Sequence, residues 1–237
     1  MKLITYIALL LMLWGRCGWC ESGPGPGTPV AQPELKTARA VATQYYLALP
    51  DGWTPQATWP ILVTLEGSGH NFLRNCQAFM RARKAQPFII VTPCVSSNGN
   101  DPADMQAVLA IAREVQQDEH GQPKFFVTGF SAGGHLAWQL ILMHPELLAG
   151  AVPAAANFLG RGVTTFSTAP ERAQLPIHAL QGDKDPYLTA LNRQWDNAEQ
   201  TARAHGYQNI SRTIIAGAGH SPFASEGIAF FATLLPH

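Results

Sequence analysis

The sequence carries little charge and no excess of either sign. Its 237 residues include 16 Lys and Arg against 16 Asp and Glu, so the formal net charge is zero. No run of basic residues occurs, and the chain therefore lacks the electrostatic signature of a protein that binds nucleic acid or an anionic membrane surface. A neutral or weakly charged small-molecule or polymer-borne substrate is the natural expectation.

Apolar runs long enough to cross a membrane are also lacking. The longest, Leu3 to Trp14, follows Lys2 and precedes small and polar residues, which is the layout of a secretory signal. It is shorter than the roughly 18 apolar residues that favour a membrane span. We therefore expect a signal peptide over residues 1–22 and a mature chain without an integral membrane span.

The residues that follow the expected signal are rich in Pro and Gly, and we interpret residues 23–40 as a linker before one folded domain at 41–237. The expected location is extracytoplasmic, either secreted or periplasmic. No Ala-x-Ala site marks the cleavage point. The residues before Cys17 and Cys20 fit a lipid-attachment site poorly, but a lipid-anchored form stays open.

Cysteines are few, and only Cys76 and Cys94 fall in the expected domain. In an exported chain these two can form a disulfide or stay as separate buried thiols. The sequence does not decide between these states, because a disulfide depends on the separation of the two Cα atoms. No His, Cys, Asp and Glu cluster has the spacing of metal ligands, so neither a metal nor a cofactor is expected.

What the sequence does contain is an alternation of short apolar runs with segments of helical period. Helices are predicted at 101–121, Gly133–Met143, Thr189–His205 and Pro222–Leu235. Several of the apolar runs lack polar positions, as is typical of parallel strands covered on both faces. The pattern predicts an α/β domain with a mainly parallel sheet. Its predicted strands are 45–49, 61–65, 88–93, 125–129, 150–155, 177–181 and 212–216.

The stretch "FFVTGFSAGGHLAWQ", residues 125–139, places Ser131 between Gly129 and Gly133, after a predicted strand and before a predicted helix. Such a strand–Ser–helix turn presents the hydroxyl clear of the backbone, and its glycines avoid collisions with the neighbouring strand and helix. The N–H of Ala132 is then placed to donate to a developing oxyanion. The bland alternative is a polar residue in a tight turn, but the flanking elements favour a nucleophile.

A serine hydroxyl needs a histidine base and usually a carboxylate that orients it. In a strand–Ser–helix architecture the acid and then the histidine follow the serine along the chain. His220 lies among small residues after the last predicted strand, and no other histidine beyond the acid occupies such a loop. Asp183 and Asp185 both follow the strand at 177–181. Either can close a turn, so the residues alone leave the acid open.

Together these motifs resemble the α/β-hydrolase superfamily over roughly Tyr45 to Leu235. The likeness is greatest to its compact serine esterases, namely dienelactone hydrolases, acyl-protein thioesterases and the polyhydroxybutyrate-depolymerase or feruloyl-esterase group. The His-Gly-x-x-Asp loop of those families reads "QGDKD" here, which implies that Asp185 is the acid. Their His-Gly stretch after an early strand reads "LEGSGHN", which implies that the N–H of Ser68 completes an oxyanion hole with Ala132.

Two positions depart from the family pattern, since Glu66 and Gln181 stand where those motifs have histidines. Both histidines generally support other residues, so the resemblance still implies activity. A carboxylate beside the oxyanion loop opposes developing negative charge unless it is neutralised or turned away. The simplest structural role for Glu66 is that of a hydrogen-bond acceptor that braces the loop.

The resemblance implies an α/β-hydrolase fold with a mainly parallel central sheet flanked by helices. A minimal lid is expected, because only about 20 residues separate the predicted strands at 150–155 and 177–181. The implied activity is that of an exported serine hydrolase that cleaves carboxylic esters through an acyl-enzyme. Two alternatives remain, a serine peptidase of the same fold and a catalytically silent binding module.

Overall fold

The computed structural model describes residues 32–236, so the expected signal peptide and both early cysteines lie outside the described residues. An eight-stranded sheet forms the centre of this part of the chain, in the order β1-β2-β4-β3-β5-β6-β7-β8. Strands β3 to β8 run parallel, whereas β1 and β2 form an antiparallel edge. The strands are β1 (Glu34–Thr37), β2 (Gln44–Ala48), β3 (Ile61–Leu65), β4 (Ile89–Pro93), β5 (Phe125–Phe130), β6 (Leu148–Ala154), β7 (Ile177–Gly182) and β8 (Ile210–Ile215).

The seven predicted strands correspond to β2 through β8, which confirms the mainly parallel α/β architecture. Every residue of β3 and β4 is buried, as is nearly all of β5. Burial on both faces explains why these strands read as continuous apolar runs. Because β5, β7 and β8 are parallel, the loops that follow them emerge at one edge of the sheet.

Strand β1 starts the sheet earlier than the sequence indicated, since Glu34–Thr37 falls within the expected linker at 23–40. Its sequence, ELKT, has no apolar run, and Leu35 is 47% exposed. A solvent-facing edge strand needs no apolar face, so the usual pattern is absent. Backbone pairing with β2 defines it instead.

Within residues 32–236, five α-helices cover the two faces of the sheet. Helices α1 and α5 pack with one core cluster, in which the rings of Phe88, Phe126 and Phe231 contact one another. Helices α2 and α3, with most of α4, pack against the other face. The helices are α1 (Phe72–Arg83), α2 (Pro102–Asp118), α3 (Gly133–Met143), α4 (Leu188–Ala204) and α5 (Ala224–Ala232).

The predicted helices correspond to α2 through α5, and α3 has the predicted bounds. Asp101 caps α2 through a bond from the N–H of Ala103 to its side chain, at 2.9 Å. This is the capping expected from an Asp-Pro start. The prediction missed α1, whose inner face includes the buried polar residues Asn75 and Arg83 beside Cys76 and Phe79.

The connection between β6 and β7 spans residues 155–176 and contains only a short 3-10 turn at Pro170–Ala173. The lid is therefore minimal, as expected. Among residues 32–236, no helix combines the length and apolar character needed to cross a bilayer. Cys76 and Cys94 are both free thiols, so the structure decides between the two states that the sequence left open.

Candidate active site

Ser131 occupies a sharp turn between β5 and α3. Its backbone φ is +51°, in the left-handed region that side-chain-bearing residues rarely adopt. Backbone hydrogen bonds fix this conformation: the Ser131 N–H donates to Ala154 O at 3.1 Å, and the N–H groups of Gly134 and Asn157 donate to Ser131 O, each at 2.9 Å. The surrounding chain thus holds the serine in a conformation it would otherwise avoid.

The two glycines of the motif are required by packing. A Cβ built at Gly129 would lie 2.6 Å from the Cβ of Ala137 in α3. A Cβ at Gly133 would lie 2.7 Å from the carbonyl oxygen of Leu65, at the end of β3. Both separations are shorter than packed atoms tolerate, so the collisions inferred from sequence correspond to named atoms in the neighbouring strand and helix.

Asp185 and His220 are brought together at the carboxyl ends of β7 and β8. The imidazole Nδ1 lies 2.7 Å from Asp185 Oδ2, and the Asp185 side chain is fully buried. Asp183, the other candidate acid, instead accepts the N–H of Gly217 at 2.6 Å through Oδ1. The structure therefore pairs Asp185 with the histidine and gives Asp183 a role in joining two loops.

Two further bonds hold the Asp185 carboxylate in place. Gln181 Nε2 donates to Oδ2 at 3.0 Å, and the N–H of Tyr187 donates to Oδ1 at 2.8 Å. Gln181 thus supplies a donor to the acid from the position where related esterases have a histidine. The rings of Phe130 and Tyr187 lie 4.8 and 5.2 Å from the His220 ring, between centroids.

The loop after β3 passes directly against the serine turn. A Cβ at Gly67 would lie 3.2 Å from both Ser131 Cβ and Phe130 O. Within residues 32–236, neither the Ser68 N–H nor the Ala132 N–H donates a backbone hydrogen bond. Two unengaged donors beside a serine are what an oxyanion hole requires.

Glu66 lies at the start of this loop and is 8% exposed. Burial raises the pKa of its carboxyl above the ordinary value, while the N–H groups of Gly67 and Asn71 and the charge of His70 oppose the rise. Both N–H groups belong to the loop, so a loop-bracing role for Glu66 stays a prediction.

A cavity of about 440 Å³ is lined by the serine turn, the loop after β3 and the loop that holds His220. Ser131 and His220 both line it, although no hydrogen bond links the two side chains in the described part of the chain. Nucleophile–base contacts in ligand-free enzymes are often long and shorten only when substrate binds. The remaining lining comes from Glu66, Ser68, Gly69, Asn71, Phe130, Asn157, Tyr187, Ala190, Leu191 and Gln194.

Sequence reasoning did not identify Asn157, Tyr187 or Gln194 as site residues. Asn157 follows β6, Tyr187 precedes α4, and Gln194 lies within α4. The "DPYL" turn offered a signal for Tyr187, because an Asp side chain often accepts the N–H two residues later. No local pattern distinguishes the other two. Among the described residues no three His, Cys, Asp or Glu side chains are grouped so that they could hold a metal ion.

This architecture is that of the α/β-hydrolase class. Residues 37–229 match the model of the dienelactone hydrolase family, and because this match spans most of the chain, the protein belongs to that family. Membership supports a hydrolase that acts on ester substrates. No curated protein sequence matches the chain.

Solved structures share the fold at low sequence identity. Poly(aspartic acid) hydrolase-1 from Sphingomonas sp. KT-1 has a TM-score of 0.66 at 18% identity, over 86% of this chain and 97% of that one. A poly(3-hydroxybutyrate) depolymerase from Bordetella parapertussis has a TM-score of 0.63 at 16% identity, over 82% and 85%. The feruloyl esterase module from Clostridium thermocellum has a TM-score of 0.62 at 16% identity, over 90% and 92%.

Proposed function

We propose that the protein is a serine esterase in which Ser131, His220 and Asp185 form the catalytic triad. The observation that carries this proposal is that one cavity is lined both by the serine of a strained strand–helix turn and by a histidine bonded to a buried aspartate. Family membership and the esterases among structures of the same fold support an ester as the substrate. The substrate is a small-molecule or polymer-borne ester.

In this mechanism His220 Nε2 takes the Ser131 proton as Oγ attacks the ester carbonyl carbon. The oxyanion is held by the N–H groups of Ser68 and Ala132, and α3 directs the positive end of its dipole toward it. The carbonyl re-forms as the C–O bond to the alcohol breaks, and His220 returns the proton to the alcohol. A water molecule, deprotonated by the same imidazole, then attacks the acyl carbon, the bond from that carbon to Ser131 Oγ breaks, and His220 returns the proton to Oγ as the carboxylic acid leaves.

Asp185 stabilises the imidazolium and fixes which ring nitrogen carries the proton. Its bond to His220 Nδ1 leaves Nε2 as the nitrogen that exchanges protons with the serine. The bonds from Gln181 and Tyr187 prevent the carboxylate from rotating away. Ester hydrolysis by these residues needs no cofactor, and the expected exported location remains part of the proposal.

Fluorophosphonate labelling tests the nucleophile. We expect the purified parent protein to be labelled covalently, and Ser131→Ala to lose labelling while keeping its circular dichroism spectrum. Ser225→Ala is the matched control, since Ser225 lies at the exposed start of α5. Equal labelling of Ser131→Ala and the parent would refute Ser131 as the nucleophile, whereas absence of labelling in the parent would favour a silent binding module.

A substrate panel then tests the reaction class. We expect hydrolysis of 4-nitrophenyl acetate and of longer acyl esters, with lower kcat/KM on peptide anilides. A preference for the anilides would overturn the esterase in favour of a peptidase with the same residues.

A further inference from the structure

The cavity at the proposed active site is lined by very few charged side chains. Glu66 is the one Asp, Glu, Lys or Arg among the described residues that line it. None of the ion pairs within residues 32–236 involves Glu66, so no Lys or Arg neutralises its carboxylate at close range, and His70 is the group whose positive charge acts on it. An anionic substrate would therefore meet a like charge in a cavity whose described lining has no Lys or Arg.

Glu66 lies in the loop that contacts the serine turn. It is buried at the base of this loop; burial raises the pKa of its carboxyl, and the N–H groups of Gly67 and Asn71 oppose that rise. The adjoining Gly67 backbone contacts the serine turn. In its ionised form the Glu66 carboxylate repels a negatively charged group that enters the cavity.

Asn157 and Gln194 add neutral hydrogen-bonding groups to the lining of the cavity. Gln194 Oε1 accepts from the N–H of Phe158 at 2.7 Å and from Asn157 Nδ2 at 3.3 Å. Both bonds use the oxygen, so the Gln194 amide donors and the Asn157 carbonyl oxygen have no hydrogen-bond partner among residues 32–236. This pair presents a donor and an acceptor that suit an uncharged amide, hydroxyl or ester group.

We propose that the site is selective for uncharged, hydrogen-bonding esters over carboxylate-bearing ones, and that Glu66 is the residue that sets this selectivity. The inference rests on the proposed ester hydrolysis and adds a substrate class to it. Glu66 acts through its charge on the part of the substrate that does not react. Gln194 and Asn157 supply the matching contacts for the uncharged group.

Monoethyl succinate and ethyl succinamate provide the test, because they differ by a carboxylate in place of a carboxamide of nearly the same shape. Ethanol release gives kcat/KM for each. We expect the parent protein to favour the succinamate by about tenfold or more, since fixed like charges within one cavity repel strongly at the effective dielectric of a protein site. In Glu66→Gln this ratio should fall severalfold toward one.

Gln194→Glu makes the reciprocal change. A glutamate at this position keeps the acceptor for both Phe158 and Asn157, so the local structure should be retained. It adds a second carboxylate to the cavity, and we expect discrimination against monoethyl succinate to increase by about another tenfold. Glu226→Gln, at an exposed position in α5, removes one negative charge outside the cavity and should leave the ratio unchanged.

The outcomes separate this inference from the function on which it rests. Hydrolysis of both esters at equal rates by the parent, or equal ratios in all four proteins, overturns the proposed selectivity and leaves the esterase intact. Absence of ethanol release from both esters, together with absence of fluorophosphonate labelling, overturns the esterase and the selectivity with it. If Glu66→Gln does not fold, the preference of the parent between the two esters decides whether the cavity is selective, since a carboxylate added at position 194 repels the succinate whatever Glu66 does.

Discussion

His220 Nδ1 lies 2.7 Å from Asp185 Oδ2, whereas the neighbouring Asp183 bonds to the backbone of Gly217. Two aspartates of the same turn thus have separate partners. The pairing supports the proposal that the acid is Asp185, the residue that the family motif implied and that the local sequence left undecided. Substitutions of the two aspartates can therefore be compared, with each variant as the control for the other.

Replacing Asp185 by Asn should lower kcat on 4-nitrophenyl acetate by about 10³- to 10⁴-fold, because the amide favours the wrong imidazole tautomer and cannot stabilise an imidazolium. Asp183→Asn should keep kcat near that of the parent and lower the unfolding free energy by no more than about 1 kcal/mol, since the Asn side-chain oxygen can still accept the N–H of Gly217. Steady-state kinetics and urea denaturation measure the two effects. A larger kinetic loss in Asp183→Asn would contradict the assignment.

Gly133→Ala should lower the unfolding free energy by about 1 to 3 kcal/mol, because the added methyl meets the Leu65 carbonyl oxygen. Urea denaturation measures this change. Gly219→Ala is the control, since nothing lies within 4 Å of a Cβ at Gly219. Its effect should stay within about 0.5 kcal/mol. Equal stabilities of the two variants would show that the serine turn does not press against β3.

Tyr45→Phe should cost about 2 kcal/mol of unfolding free energy, because the Tyr45 hydroxyl bonds to the buried carboxylate of Glu114 at 2.9 Å. Tyr46 is the natural control. Its side chain is half-buried, and its hydroxyl makes no hydrogen bond to another residue of 32–236. Tyr46→Phe should change the unfolding free energy by no more than about 0.5 kcal/mol. Thermal or urea denaturation of both variants measures these changes. A larger loss of unfolding free energy in Tyr46→Phe than in Tyr45→Phe would refute the stabilising role of the Tyr45–Glu114 bond.

The two thiols should react slowly at neutral pH. Burial raises the pKa of Cys76 and of Cys94 to about 11. At pH 8 only about one thiol in a thousand is then ionised, and the thiolate is the reactive form. We expect slow labelling of native protein by a disulfide reagent and rapid labelling after unfolding in urea. Rapid labelling of Cys76 without denaturant would contradict its burial.

Cys76 should also make stability depend on alkaline pH. Its pKa is raised from an ordinary value of 9.0 in the unfolded chain to about 11 in the folded protein. The folded state therefore favours the protonated thiol, and this contribution is complete below pH 9 and lost as pH rises through 11. The total is up to about 3 kcal/mol. Cys76→Ala should show a shallower decline between pH 9 and 11, and an unchanged slope would refute the effect.

Strands β3 to β7 could be predicted because burial on both faces leaves a direct record in the sequence as apolar runs. The serine turn could also be predicted, because any strand–Ser–helix turn of this shape has close contacts that require glycine at these two positions. Asp185 was assigned through resemblance, because two aspartates in one turn carry no local difference. What separates them is Gly217, which lies on another loop.

Helix α1 and part of the cavity lining could not be predicted, because no local sequence pattern indicates them. Helix α1 was missed because Asn75 and Arg83 interrupt its apolar face, yet Arg83 is buried with its guanidinium donating to two backbone carbonyls. Asn157 and Gln194, which line the cavity, were missed because they are distant in the sequence and come together only in the folded chain. Polar residues on helices usually face solvent, so composition alone gives no reason to place Gln194 beside a serine.

Because the strands are parallel, the residues of the candidate site come from loops that are far apart along the chain. The bonded Asp185 and His220 stand 35 residues apart, and Ser131 follows an earlier strand. Non-local pairings of this kind form slowly compared with helices. With the proposed triad, a refolding chain should therefore regain its far-ultraviolet spectrum well before it turns over substrate, and a nascent chain that stops short of the β8 loop should be inert however well its first half has folded.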